Sequence, residues 1–346
     1  MKLKDFCLWI FAATLCFYIL IVAKHLLIPL VVAIFIWYLI NAVATFFGHF
    51  SIGKLSLGKP FCFALAILAI LGFLGILVNL LSRSAAEVVT GAPAYQKNLE
   101  FLVARVFEFL DMERPATLKQ LLSSLDLTAF LSQFTKAVTG FFGKIGIILV
   151  YVVLLFIEQA VFDKKLAALI KDAQRKAKVL SVFQQIRTDT LTYIGIKTFT
   201  SLLTGLLSYG VMSLVGLDFA EFWAILIFLF NYIPAIGSIL ATIFPSILAL
   251  VQFDSLGPFV VIAGGVTLLQ FLIGNLLDPR LMGKSLNLSP LVIVLSLGLW
   301  GSIWGIAGMF LCVPITVIVM IIFSHFPQTR PIVVVLSSDG QIRPDG

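Results

Sequence analysis

The sequence predicts an all-α integral membrane protein with about eight membrane segments, and three observations predict it. Hydrophobic residues make up 60% of the 346 positions and charged residues only 12%, against about 25% charged in an ordinary soluble domain. Uncharged apolar runs fall at 6–23, 26–47, 60–82, 141–162, 191–217, 219–251, 257–277 and 290–324, and several approach or exceed the roughly 20 residues that cross a hydrocarbon core of about 30 Å as a helix. None of them alternates apolar and polar residues as the strand of a membrane β-barrel does.

In chain order, MKLKDFCLWIFAATLCFYILIVAK has the basic start and apolar middle of a signal peptide, but no small-x-small cleavage site follows and a second apolar run begins at Leu26. It is expected to stay as a first span. Residues 1–82 thus hold the N-terminal spans. Residues 83–140 carry six basic and six acidic side chains, a balance compatible with extracytoplasmic amphipathic helices. One stripe there reads Tyr95, Leu99, Leu102, Val106 and Phe109, and a second reads Leu118, Leu121, Leu122, Leu125 and Phe134. A span at 141–162 follows. Residues 163–190 are expected to form basic helices, with Leu166, Leu169, Ala173, Leu180 and Phe183 on one face. The seven basic and three acidic residues of 163–189 place the segment in the cytoplasm.

The last part, 191–325, is the expected transport core, and 326–346 is the expected cytoplasmic tail. Lys2, Lys4, Lys54, Lys59, Arg280, Lys284 and Arg330 mark further inner loops, so both termini are expected inside. Run 191–217 then leads out and run 257–277 leads back. Run 219–251 must start and finish outside, and run 290–324 must start and finish inside. Each is too long for one crossing and short for two. The first has Pro234, Gly237 and Pro245 near its middle, and the second has Gly298, Gly301, Gly305, Gly308 and Pro314. Both are read as helix-breaking hairpins of opposite orientation, the alternative being two tilted spans with a tight turn. Broken backbone near the midplane is where many secondary transporters bind their cargo.

The candidate path residues follow from that reading. Asn231, Tyr232 and Ser238 bring hydrogen-bonding groups to the first hairpin, where Pro234 and Gly237 break the helix. Ser302 is the polar side chain of the second, between Trp300 and Trp304, and Gly301, Gly305, Gly308 and Pro314 supply its flexibility. Gln270, Asn275, Asp278 and Arg280 line an otherwise apolar span and the loop after it. Asp278-Pro279 is expected to end the helix there, and the loop is expected to gate the path. Lys197 lies within a span, so it must snorkel or pair.

Enzyme chemistry finds no support. GKS at 283–285 lacks the glycine that a phosphate loop needs, and HExxH and GxSxG do not occur. Cys7, Cys16, Cys62 and Cys312 lie in apolar segments without CxxC spacing, so no disulfide framework, metal or cofactor is expected. The net charge of +7 reflects basic inner loops rather than nucleic-acid binding.

The stretches TLTYIGIKTFTSLLTGLL, NYIPAIGSILATIFPSILAL, NLLDPRLMGKSLNLSPLVIVLSL and GIAGMFLCVPITVIV resemble the autoinducer-2 exporter family of bacterial membrane proteins. The resemblance covers about 190–325. It implies a multi-pass transporter of the bacterial inner membrane with eight membrane segments, and a homo-oligomer, with a pentamer as the candidate number. Members are associated with export of the furanone-type signal autoinducer-2, and some with sodium or lithium exchange for protons. The expectation is a gradient-driven secondary transporter, coupled to protons or sodium, that exports a small polar solute by alternating access. In that cycle the hairpins hold the solute and move against a scaffold of runs 6–82 and 141–162. The alternatives are a sodium or lithium/proton antiporter, and a non-transporting scaffold or permease subunit of a larger complex.

Overall fold

In the computed structural model, which describes residues 3–49, 58, 60–80, 83, 87, 98, 143–170, 172–282 and 287–341, the regular elements are helices. They are α1 (Leu3–Val22), α2 (Lys24–His49), α3 (Pro60–Leu80), α4 (Ile145–Leu169), α5 (Ala173–Val215), α6 (Ala220–Phe230), α7 (Ile236–Gln252), α8 (Leu256–Phe271), a π-helical turn (Leu272–Leu277), α9 (Asp278–Met282), α10 (Pro290–Trp304), α11 (Ile306–Ser324) and α12 (Arg330–Leu336). Six stretches among the described residues are long and apolar enough to cross a membrane: Lys24–Gly48, Pro60–Leu80, Ile145–Phe162, Ala173–Val215, Leu256–Met282 and Ile306–Ser324. The protein is therefore a multi-span helical membrane protein. The amphipathic stripes expected within 83–140 lie outside the described residues.

Two compact units emerge, each assembled from separate parts of the chain. The first comprises Met1–Ala66, Lys144–Ile196 and Met282–Gly346. In it α2 packs along α4, where the Trp37 indole N–H donates to Gln159 Oε1 at 2.9 Å. Helices α10 and α11 pack against each other, and Phe310 of α11 meets Phe35 of α2 edge to face at 5.5 Å. Trp304, at the end of α10, donates to the Leu20 carbonyl at 3.0 Å. After α12 the chain returns to residues 287–289. Ser289 N donates to the Leu336 carbonyl at 3.0 Å, Asn287 Nδ2 donates to the Gln341 carbonyl at 3.0 Å, and Ser338 Oγ donates to Asn287 Oδ1 at 2.6 Å.

The second unit comprises Ile67–Gly143 and Lys197–Leu281. Its apolar core joins α5, α6, α7 and α8 through Met212, Phe222, Trp223, Ile227, Ala249 and Ile262, among others. Helix α6 is hydrophobic nearly all round, as a buried helix should be. The chain enters α6 beside the point where it leaves α7: Gln252 Nε2 donates to the Gly216 carbonyl at 2.9 Å, and Asp218 N donates to Gln252 Oε1 at 2.7 Å.

Three expectations need correction. The stripe from Leu166 to Phe183 is not continuous, because α4 ends at Leu169 and α5 starts at Ala173, leaving Leu169 and Phe183 exposed. From Ala173 the helix runs without a break through Val215, since no proline interrupts it and the charged first half is as good a helix former as the apolar second. Pro245 and Pro314, read as breakers, sit inside α7 and α11, as membrane helices tolerate when neighbours satisfy the freed backbone groups. The breaks fall instead at residues 231–235 and at Gly305, whose φ of +62° suits a residue without a β-carbon.

Both short helix pairs close by the same means. A β-carbon at Gly237 would run into the Phe230 carbonyl, and one at Gly308 into the Trp300 carbonyl. Gly308→Ala is therefore expected to lower thermal stability by about 1–3 kcal/mol through overpacking. Gly298→Ala, which meets open space, is expected to leave the melting temperature unchanged or slightly raised. Equal melting temperatures in detergent for the two variants would contradict this packing.

Candidate functional site

Helix α5 carries a polar stripe where it enters the second unit. Lys197, Ser201, Thr204 and Ser208 recur at helical spacing on one face, and Thr200, Ser201, Thr204 and Ser208 are fully buried. Leu202, Leu206, Leu207 and Leu214 point outward. An apolar outside with a polar inside inverts the soluble pattern, and in a membrane helix it marks hydrogen bonding to neighbouring helices or a polar interior.

Lys197 meets Asp278. Its Nζ donates to Asp278 Oδ2 at 2.7 Å, and the two side chains are only 12% and 11% exposed. The sequence expectation that Asp278-Pro279 ends a helix is overturned, because a π turn lets the helix run on through α9 to Met282. The buried face of this span reads Ile262, Val266, Gln270 and Ile273, then Asp278. In an unbroken α-helix Leu277 would come next on that face. One residue is a rotation of about 100°, so the wider π turn advances the phase and brings Asp278 inward instead. The widened turn also gives the Pro279 ring room where a regular turn would place a carbonyl against it.

The turn after α6 joins the same part of α5. Asn231 Nδ2 donates to Ser201 Oγ at 3.1 Å, and the Tyr232 hydroxyl donates to Thr198 Oγ1 at 2.7 Å. A single turn of α5 thus holds three neighbours: Asp278 through Lys197, Tyr232 through Thr198 and Asn231 through Ser201. Among the described residues, Asp278 Oδ1 and Gln270 Nε2 are buried without a hydrogen-bond partner. An unsatisfied buried polar atom costs about 1–3 kcal/mol, and removing one member of a buried ion pair costs about 3–5 kcal/mol.

Of the residues singled out in the sequence, Asn231, Tyr232, Gln270 and Asp278 are buried in the second unit. Gly237 is buried in the same unit, with Pro234 and Ser238 half-buried beside it. Asn275 and Arg280 face outward. The remainder belong to the first unit. There Ser302 is exposed and donates to the Leu299 carbonyl of its own helix at 2.8 Å, Gly301 lies within α10, Gly305 forms the break, and Gly308 and Pro314 are buried in α11. Sequence reasoning missed Thr198, Ser201, Thr204 and Ser208. The signal was present: hydroxyl residues at positions 201, 204 and 208 share the helical face of Lys197. Among the described residues no three His, Cys, Asp or Glu side chains come together as a metal site requires.

A chain with these spans and this buried polar cluster can be placed by its relatives. It is 28% identical to the AI-2 transport protein TqsA of Escherichia coli, covering 91% of this chain and 90% of that one. It is 30% identical to a candidate transport protein of Borreliella burgdorferi, over 88% of this chain and 82% of the relative. It is 26% identical to a candidate transport protein of Escherichia coli, YhhT, over 85% and 83%. The model of the AI-2E family of transporters matches residues 7–328, nearly the whole length, and the chain belongs to that family.

Proposed function

We propose that the protein is a gradient-driven secondary transporter that exports a small polar solute by alternating access. The observation that carries this reading is the Lys197–Asp278 pair, held away from water on a polar helix face that also binds Asn231 and Tyr232. Ionisable groups inside membrane helices are expensive and are usually retained for cargo, ions or protons. A purely structural role is a poor explanation, since a buried ion pair stabilises a fold little compared with apolar residues of similar volume. The named activity of TqsA makes AI-2 the first solute to test.

The helix pairs α6–α7 and α10–α11 are read as re-entrant hairpins that enter from opposite faces and turn near the midplane. Helix length supports this most directly in α6, whose 11 residues rise about 16 Å, short of a core of about 30 Å; α11 is long and apolar enough to cross, so the second pair is read as a hairpin from its break at Gly305 and the close packing of α10 on α11. Sodium or lithium exchange for protons is the second reading, favoured by the buried acceptor Asp278 Oδ1, which has no partner among the described residues. The proposed setting is the bacterial inner membrane, with both termini in the cytoplasm and the chain in a homo-oligomer, a pentamer by family resemblance.

Three outcomes are expected. In proteoliposomes with an imposed proton or sodium gradient, Asp278→Asn should abolish flux of AI-2 or of an alkali cation. The double variant Lys197→Met with Asp278→Leu should melt at or above the wild-type temperature and still carry no flux; wild-type flux in that variant would assign the pair to structure alone. A nitroxide at Ala235, an exposed residue of the α6–α7 turn, should show the oxygen-rich, nickel-poor environment of the bilayer centre. A headgroup-depth signal would make α6 and α7 full crossings.

A further inference from the structure

We propose that the seam between α5 and the α8–π–α9 span, wholly within the second unit, is a hydrated track that binds neutral hydroxyl groups, those of water or of a passing solute. Two contacts fix the relation of these helices. Lys197 meets Asp278 at one end, and at the other a β-carbon on Gly265 would lie 3.1 Å from Val211 Cγ1. Numbers that rise along α5 fall along its partner, so the helices run antiparallel for about 20 Å. Gln270 then lies level with the stretch from Thr204 to Ser208.

Unused hydrogen-bonding capacity lies along this seam. Asp278 is 8% exposed, Gln270 7% and Ser208 0%, yet Asp278 Oδ1, Gln270 Nε2 and Ser208 Oγ have no hydrogen-bond partner among the described residues. Thr200 and Thr204 satisfy their hydroxyls by bonding back to the Lys197 and Thr200 carbonyls, so the free groups stand out against a stripe that is otherwise closed. Their chemistry selects the occupant. Asp278 Oδ1 only accepts, Gln270 Nε2 only donates, and a serine hydroxyl does both. A bare cation would answer the acceptors and leave the amide unmatched, whereas a carboxylate would do the reverse. A hydroxyl group both donates and accepts, and it adds no charge where Lys197 and Asp278 already neutralise each other.

This deepens the transporter reading and rests on it for the solute, whereas hydration of the seam can be measured without flux. In protein with Cys7, Cys16, Cys62 and Cys312 replaced by alanine, single cysteines are placed at Thr204 and Ser208, and for comparison at the outward-facing Leu206 and Leu214. The probe is 2-hydroxyethyl methanethiosulfonate, which is neutral and hydroxylic. A thiol reacts as its thiolate, which forms readily only where water reaches it, so Thr204→Cys and Ser208→Cys are expected to react at least about tenfold faster than Leu206→Cys and Leu214→Cys. Rates at both seam positions no faster than at the outward ones overturn the proposal. If AI-2 slows the reaction, the hydroxyls are those of the solute; if the rate is unchanged, they are those of water, and the seam stands in both cases. Flux through a protein whose seam does not react would refute the seam and keep the transporter, while a reactive seam without flux would do the opposite.

Discussion

A lysine and an aspartate that meet at 2.7 Å between apolar helices impose conditions on everything near them. Each charge alone would be costly at that depth, so neither helix can slide or turn without exposing the other to an apolar surrounding. The second unit meets these conditions with a widened helical turn, a face of hydroxyl side chains, and a glycine that lets α8 approach Val211 closely. The turn after α6 is tied to the same stretch through Asn231 and Tyr232. Movement of that turn would be felt at the ion pair within one helical turn of α5.

The two short helix pairs solve a common problem in different settings. Each interrupts its helix within an apolar stretch of chain, where unpaired backbone groups are expensive. Each does so by pressing a glycine of the second helix onto a carbonyl near the end of the first. In α6–α7 the turn has five residues and two polar side chains that reach a neighbour. In α10–α11 it shrinks to a single glycine; there Ser302 bonds to its own helix and the Trp304 indole N–H reaches the Leu20 carbonyl of α1. The first pair thus meets its neighbour through side-chain partners, and the second meets its neighbour through a backbone carbonyl.

Much of this architecture was legible in the sequence. Apolar runs of crossing length located the long helices, and Pro234 and the glycines pointed to the two helix breaks, because both signals are local and depend on residue type. What was not legible depended on partners or on helix phase. Lys197 was recognisable as a residue in need of a counter-charge, but Asp278 lies too far along the chain for spacing to pair them. Asp-Pro reads locally as a stop, and nothing local announces the π turn that carries the helix past it. Pro245 and Pro314 read as breakers for the same reason: their tolerance is decided by neighbours. The unbroken α5 was hidden by its own composition, since its charged half and its apolar half look like two elements.

The π turn limits how the ion pair can be probed. Its effect on Asp278 comes from the number of residues it contains: Gly274 has no side chain and Asn275 is exposed. A survey that replaces one side chain at a time would therefore pass over it. A shortening of the chain by one residue there would turn the carboxylate away from Lys197 while leaving every functional side chain in place. A chain one residue shorter at this point would keep both the Lys and the Asp and still lose their contact.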